Sequence, residues 1–211
     1  MKKQDLIYRE FQDSDLDELT LIIAHTWYRH LDLEKAMLCA KAEAMLHLAR
    51  ASRGVSALHD GKLMGVGFAR MGDCGRADMW QKKVEDLIAE NRHVVDIADE
   101  ISIMYDEEIL MEEVRKTHGH KDIGDLELLV VSPDAKGMGI GGTLMNHSLD
   151  WLKDQGAKGC RLVTDDGCDW EFYEHRGLNR LGEKAVRIPS ADLYTKHAGD
   201  FHIYVYEKPL P

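Results

Sequence analysis

A glycine-rich turn between an apolar strand and an amphipathic helix carries the residues best suited to chemistry. Four glycines lie within positions 137–142, directly after Lys136. Glycines let phosphate oxygens approach the backbone because no Cβ stands in the way. Unpaired amides and the dipole at the start of a helix also attract anions. The pattern therefore predicts a site for an anion such as a phosphate.

Two phosphate-binding motifs can be compared with this turn. A P-loop ends in Gly-Lys-Ser/Thr, because the lysine and the hydroxyl reach the phosphates and magnesium. Here Thr143 follows Gly142 and no lysine is present, so that motif is absent. The dinucleotide fingerprint G-x-G-x-x-G is matched by Gly137, Gly139 and Gly142, but residues 132–136 separate the strand from its first glycine. That fingerprint is disfavoured, since its first glycine turns the chain directly off the strand.

Length and composition predict one large domain that buries a core without metal or disulfide staples. The chain has 211 residues, 44% hydrophobic and 31% charged. Its four cysteines form no C-x-x-C pair, so we expect reduced thiols. The formal net charge of -11 disfavours nucleic acid and anionic membranes as partners. No apolar run suits a bilayer span or a signal peptide, so we expect a cytoplasmic protein.

Hydrophobic periodicity predicts alternating strands and helices that must position the glycine turn. The first half reads as a strand at 6–9, helices at 16–28 and 33–50, and strands at 55–59 and 63–70. The second half reads as strands at 126–131, 160–164, 178–188 and 201–207, with helices at 140–155 and 169–175 and a loop at 189–200. This order predicts an α/β layered domain, a mixed sheet with helices on its faces.

Between these halves, the polar and acidic segment 71–121 is predicted to be helical. Its apolar positions favour helices at 77–91 and 94–117. We interpret it as a helical insertion within a single domain spanning 1–211. It could serve as a lid, a substrate wall or a dimer face.

Two stretches resemble motifs of the GCN5-related N-acetyltransferases. Residues 131–141, Val-Ser-Pro-Asp-Ala-Lys-Gly-Met-Gly-Ile-Gly, resemble the family's acetyl-CoA signature of Val-x-Pro followed by Arg/Gln-x-x-Gly-x-Gly/Ala. Residues 172–178, Phe-Tyr-Glu-His-Arg-Gly-Leu, resemble its aromatic-Tyr-Glu-x-x-Gly-Phe element. The resemblance covers 6–70 and 125–207 in element order. It implies a centrally splayed sheet of about seven strands with helices on both faces.

The resemblance also implies a binding site for acetyl-CoA as co-substrate, with no metal. The backbone of 129–131 would pair with the pantetheine arm, and the amides of 138–143 would take the pyrophosphate. Lys136 stands where the family usually has Arg or Gln, and Asp166 stands where a CoA-contacting Asn is usual. The expected cofactor-binding residues are Leu129, Val130, Val131, Lys136, Gly137, Met138, Gly139, Ile140, Gly141, Gly142, Thr143 and Asp166.

Three residues are candidates for catalysis. Tyr173 is the candidate general acid, because a phenol can protonate a departing CoA thiolate; its alternative role is core packing. Glu127 and Asp125 are candidate bases on one face of the same strand, directly or through water. Either carboxylate could instead be a solvated strand start. His118 and His120 form an H-x-H without a third ligand, so no metal site is expected.

By this resemblance the protein is an acetyl-CoA-dependent N-acetyltransferase acting by direct attack in a ternary complex. The acceptor would be an amine of a small molecule or a peptide, and a homodimer is possible. The alternative is a non-catalytic CoA-sensing or interaction module on the same fold, because fold alone does not fix activity. The sequence does not identify the acceptor.

Overall fold

The computed structural model describes residues 6–72, 75–186 and 201–211. Cys74, the end of the predicted strand at 187–188 and the predicted loop at 189–200 lie outside these ranges. The strands are β1 (Leu6–Glu10), β2 (Arg53–His59), β3 (Lys62–Arg70), β4 (Ile123–Val131), β5 (Gly159–Asp165), β6 (Asn179–Val186) and β7 (Phe201–Pro209). The helices are α1 (Leu16–Trp27), α2 (Leu33–Arg50), α3 (Ala77–Asn91), α4 (Ile97–Glu100), α5 (Ile103–His118), α6 (Ile140–Asp154) and α7 (Glu171–His175).

The seven strands form one mixed sheet in the order β1-β2-β3-β4-β5-β7-β6. Neighbours are antiparallel, except that β4 and β5 run parallel. The predicted layered α/β fold and its element order are confirmed. No helix in the described ranges is both long and apolar enough to cross a bilayer.

The centre of the sheet is splayed, as the resemblance implied. β4 pairs with β5 only over Ile123–Asp125, opposite Gly159–Arg161. On its other side β4 keeps its pairing with β3 as far as Val131. Beyond Asp125 the two central strands therefore diverge, and the backbone of β4 is left open towards the gap.

Helices cover both faces of the sheet. On one face α1 to α4 contribute to a buried cluster that also contains Phe68 of β3. On the other face lies α6, which approaches β3 closely because Gly67 has no side chain. A Cβ on Gly67 would lie 3.2 Å from Ser148 Oγ and 3.3 Å from Leu144 Cβ. The glycine thus brings α6, whose N-terminus ends the glycine turn, against the centre of the sheet.

Segment 71–121 is helical, but its second helix is interrupted, contrary to the prediction. Asp96 caps α4 by accepting a hydrogen bond from the amide of Asp99, and α4 ends after one turn at Ile101. Ile101 is 1% exposed, so burial fixes the break in place. After this break α5 packs under β6 and β7 through Leu110 and Val114.

Candidate active site

The end of β4 and the start of α6 enclose one side of an open cleft. Helix α6 begins at Ile140, and its N-cap Gly139 has a φ of 74°, a left-handed conformation that favours glycine. The first amides of a helix have no partner within it, and no acidic residue lies in the first turn of α6. This cleft therefore offers donors and a positive dipole end to an anion.

Most residues expected to bind the cofactor line this cleft. They are Leu129, Val130, Val131, Lys136, Gly137, Gly139, Ile140, Gly141 and Gly142. Thr143 instead turns back onto Gly139, whose carbonyl oxygen accepts bonds from both its amide and its hydroxyl. The side chain of Met138 packs beside the small core cluster that contains Ile140 and Leu144.

Asp166 does not lie in the cleft, which differs from the expectation. Its carboxylate accepts hydrogen bonds from the hydroxyl of Tyr204 at 2.6 Å and the amide of His202 at 2.8 Å. Successive side chains at the end of a strand point to opposite faces. At the end of β5 it is therefore Asp165 that points into the interior gap, while Asp166 binds β7.

A second cavity, which we call the acceptor cavity, fills the splay between β4 and β5 and has a volume of about 130 Å³. Residues 126–129 and 162–165 supply its strand walls, and α1, α2, α4 and α5 supply helical residues. Segment 71–121 is thus part of its wall. Five residues line both the cleft and this cavity: Trp27, Leu129, Gly167, Cys168 and Tyr173.

Tyr173 stands at the junction of the two spaces. It lies on α7, with its ring edge-on to Phe172 at 5.3 Å and tilted to Tyr206 at 6.3 Å. Burial, reinforced by nearby Cys168 and Asp165, raises the pKa of Tyr173 well above that of a free phenol. The hydroxyl therefore stays protonated at neutral pH, and it is a weaker acid than a free phenol.

Glu127 lines the acceptor cavity with a side chain only 7% exposed. Its carboxylate lies 3.4 Å from His47 Nδ1, 3.5 Å from Arg50 and 3.8 Å from Arg70. Burial favours the neutral acid, but these three cations outweigh it and lower the pKa of Glu127. The group is therefore an ionised carboxylate inside the cavity.

Asp125 is placed differently, although it shares a strand face with Glu127. Its carboxylate lies 2.7 Å from Arg70 and 3.0 Å from Arg115, and it does not line the acceptor cavity. It sits where β4 still pairs with β5, before the splay begins. The structure thus separates the two candidate bases and gives Asp125 the geometry of an ion-pair cluster.

His47 was not identified from the sequence. Its ring lies between Glu127, at 3.4 Å from Nδ1, and Glu43, at 3.8 Å from Nε2. Burial disfavours the imidazolium, but hydrogen bonds with these carboxylates raise the pKa of His47 to about 9. The signal was present in the sequence: Cys39, Glu43 and His47 recur every four residues along α2, which places polar groups on its buried face.

Two further acids of the cavity were also missed, Glu107 on α5 and Asp165 on β5. Burial raises the pKa of Asp165 to about 6, although the amide of Gly167 donates to it at 2.7 Å. Burial and the neighbouring Asp165 raise the pKa of Glu107 well above its usual value. Cys168 lies beside them, and burial raises the pKa of its thiol well above normal, which does not favour a thiolate nucleophile.

Possible metal ligands do not converge in the described part of the chain. There, no group of three or more His, Cys, Asp or Glu side chains is arranged to hold a metal ion. His118 and His120 are both exposed at the end of α5 and in the following turn.

The arrangement was compared with known proteins. Solved structures of similar fold include the ribosomal-protein-S18-alanine N-acetyltransferase from Escherichia coli, at 15% identity and a TM-score of 0.55, covering 97% of this chain and 94% of that one. A GCN5-related N-acetyltransferase from Kribbella flavida aligns at 13% identity and a TM-score of 0.58, covering 99% and 100% of the two chains. An agmatine N-acetyltransferase mutant aligns at 12% identity and a TM-score of 0.58, covering 98% and 100%.

At these identities the structural matches establish the fold alone. A comparison with curated proteins gives no match. The sequence profile of the acetyltransferase (GNAT) family matches residues 18–178, well over half of the chain and including the cleft, the splay and α7. The protein therefore belongs to the GNAT family of acetyltransferases.

Proposed function

We propose that the protein is an acetyl-CoA-dependent N-acetyltransferase that joins the two spaces in a single ternary complex. The observation that carries the proposal is that Tyr173 lines both the cleft and the acceptor cavity. A donor in one space and an amine in the other would therefore meet beside this hydroxyl. Holding two reactants in such a geometry can supply about 7–11 kcal/mol of the barrier reduction.

The cleft would hold the donor by its backbone. The open edge of 129–131 offers amides and carbonyls to the pantetheine arm, in the manner of an added strand. The amides at the start of α6 would bind the pyrophosphate, and Lys136 adds a flexible positive charge nearby. Bound acetyl-CoA supplies an activated thioester, so the protein has only to orient it, polarise it and move protons.

Each proposed proton transfer has a candidate group, Glu127 for the acceptor amine and Tyr173 for the CoA thiolate. The acceptor ammonium would lose its proton to Glu127, through a water molecule in the cavity, and its nitrogen lone pair would attack the thioester carbon. As the carbon–sulfur bond breaks, the thiolate would take the proton of Tyr173, and solvent would restore that proton. The products are the N-acetylated amine and CoA. We assign the base role to Glu127 rather than Asp125 because only Glu127 lines the cavity.

The lining of the acceptor cavity favours an amine as the second substrate. Carboxylates attract an ammonium group, and the apolar positions of β4 and β5 suit a hydrocarbon stem. Two solved relatives of this fold carry names that specify amine acceptors, agmatine and the alanine of ribosomal protein S18. A small-molecule or peptide amine is consistent with both.

Calorimetry with acetyl-CoA, followed by thiol release over a panel of amines, tests the proposal. We expect acetyl-CoA to bind and thiol release to match acetylated amine one to one. Absence of binding at millimolar acetyl-CoA would overturn the proposal. Binding without turnover of any amine would leave a CoA-binding module on the same fold.

A further inference from the structure

The acceptor cavity is lined by more acidic side chains than cationic ones. Five carboxylates line it, from three helices and two strands, whereas its lining in the described ranges includes two histidines and no lysine or arginine. The carboxylates are those of Glu43, Glu100, Glu107, Glu127 and Asp165. The histidines are His30 and His47.

Three of the five carboxylates already have cationic or hydrogen-bonding partners. Glu43 and Glu127 lie on either side of His47, within 3.8 Å and 3.4 Å of its ring nitrogens. Glu100 lies 3.0 Å from His30 Nε2. Both histidines are therefore committed to other acids of the same wall.

Glu107 and Asp165 lack a cationic partner. In the part of the chain that the structure describes, the side chain of Glu107 makes no hydrogen bond or ion pair, and Asp165 accepts the amide of Gly167 but makes no ion pair. The nearest positive charges that Glu107 senses are His47 and Arg50, and both lie closer to other carboxylates. A cation bound beside both acids would favour the ionised form of each, because an opposite charge lowers the pKa of a carboxyl group.

An independent feature of the same wall also points to a role in ligand binding. The hydroxyl of Thr164, which precedes Asp165 on β5, has no hydrogen-bond partner in the described ranges, and the residue is 4% exposed. Buried polar atoms are normally paired, so this hydroxyl is available to a polar group that enters the cavity. Thr164 lines the acceptor cavity beside the two unpaired acids.

We propose that the acceptor is a small dicationic amine, and that Glu107 and Asp165 bind its second, non-reacting cationic group. This deepens the proposed function and depends on it. The reacting nitrogen must be neutral when it attacks, so it cannot be the lasting counter-charge of the two acids. A second ammonium or guanidinium keeps its charge throughout the reaction and can fill that role.

The rest of the cavity suits the stem that would join the two cationic groups. Leu126, Leu128 and Leu162 from the splayed strands and Met104 from α5 line it with apolar surface. A methylene chain between two charged ends matches apolar walls with carboxylates at separate positions. The volume of about 130 Å³ favours a short linear molecule.

Steady-state thiol release with saturating acetyl-CoA tests the inference, using terminal diaminobutane, butylamine and aminobutanol as acceptors of equal chain length. We expect kcat/KM for diaminobutane to exceed that for the other two by at least about tenfold, because hydrogen bonds to a charged group contribute that much or more. Equal kcat/KM for diamine and monoamine would overturn the inference.

Variants then test whether Glu107 and Asp165 cause the preference for the diamine. Glu107→Gln combined with Asp165→Asn, which preserve side-chain shape, should reduce the diamine preference to about threefold or less. Glu113→Gln, an exposed position on the same helix, is the matched control and should keep the full preference. An unchanged preference in the double variant would contradict the assignment of these two acids.

Binding calorimetry supplies a readout that does not need turnover. Because burial raises the pKa of both acids, diaminobutane should release protons when it binds to the wild-type complex with CoA at about pH 6. The observed enthalpy should then depend on the ionisation enthalpy of the buffer, and this dependence should fall in the double variant. Failure of every amine to react would count against the proposed function, whereas turnover without diamine preference would count against this inference alone.

Discussion

The cleft and the acceptor cavity share a wall but are built in opposite ways. Most of the cleft comes from one contiguous stretch, 129–142, and its binding groups are mainly backbone amides and glycines. The acceptor cavity is assembled from side chains on several helices and strands that are distant in sequence. The cleft depends on local backbone conformation, whereas the acceptor cavity forms only when distant elements pack together. Variants should therefore separate donor binding from acceptor binding, except at the junction.

The largest effect is expected at Tyr173, because this residue lines both the cleft and the acceptor cavity. Tyr173→Phe removes the proton donor and should lower kcat by about 10²–10⁴-fold, the range typical of a general acid. Acetyl-CoA affinity should change less than about threefold, because the ring remains. Tyr105→Phe, 64% exposed on α5, serves as the control in steady-state kinetics. A kcat for Tyr173→Phe within twofold of wild type would assign the tyrosine to packing.

The next effect distinguishes the two candidate bases. Glu127→Gln should lower kcat by about 10–100-fold. This loss is smaller than the one expected for Tyr173→Phe, because cavity water can partly replace the base. Asp125→Asn should leave kcat nearly unchanged but destabilise the fold by about 1–3 kcal/mol, since Arg70 and Arg115 lose their shared carboxylate. Rate measurements and urea unfolding of both variants check this. Loss of turnover in Asp125→Asn but not in Glu127→Gln would assign the role of base to Asp125.

A change in the glycine turn should weaken binding of acetyl-CoA and leave binding of the acceptor amine unchanged. Gly139→Ala forces a side chain into the left-handed conformation at the N-cap of α6, at a cost of about 1–2 kcal/mol. We expect acetyl-CoA Kd to rise about tenfold, measured by calorimetry, because the anion-binding amides are displaced.

Gly156→Ala is the matched control for that change. Gly156 has a φ of 84°, just after the other end of the same helix, and both positions have open space for a Cβ. Its unfolding free energy should fall by a similar amount while acetyl-CoA affinity stays at the wild-type value. If both variants weaken acetyl-CoA equally, the effect is one of stability and the turn has no special role.

The remaining expected effect is a pH dependence of stability that arises on the acceptor side. The folded state raises the pKa of His47 to about 9 from an unfolded value near 6.5. The native protein therefore binds more protons between these values, and its stabilisation is complete below about pH 6.5 and lost as pH rises through about 9. Unfolding free energy should fall by at most about 1.4 kcal/mol per pH unit. In His47→Gln this part of the slope should disappear.

The contrast between the two sites also explains how far the sequence could be interpreted. Hydrophobic periodicity predicted the element order, and α2 and α3 were placed at their observed bounds. The glycine turn was recognisable because its chemistry depends on residues adjacent in sequence. By contrast, Glu107 and Asp165 became a site only when α5 packed against β5, which no local pattern specifies.

Three expectations near the site illustrate the same limit. Asp166 was placed in the cleft by its distance from Tyr173, but the alternation of side chains at the end of β5 turns it to β7. The continuous helix predicted over 94–117 is broken after Glu100, and Ile101 is buried at the junction. Asp125 and Glu127 share a strand face, yet only the second lies beyond the point where the sheet splays.

The most direct test of the account is mass-spectrometric detection of acetylated product, with thiol release measured in parallel, for acetyl-CoA and terminal diaminobutane. The account predicts one acetyl group transferred per thiol released, initial-rate patterns of a ternary complex, and loss of both signals in Tyr173→Phe. Acetyl-CoA that binds but never yields acetylated diamine or monoamine would contradict it.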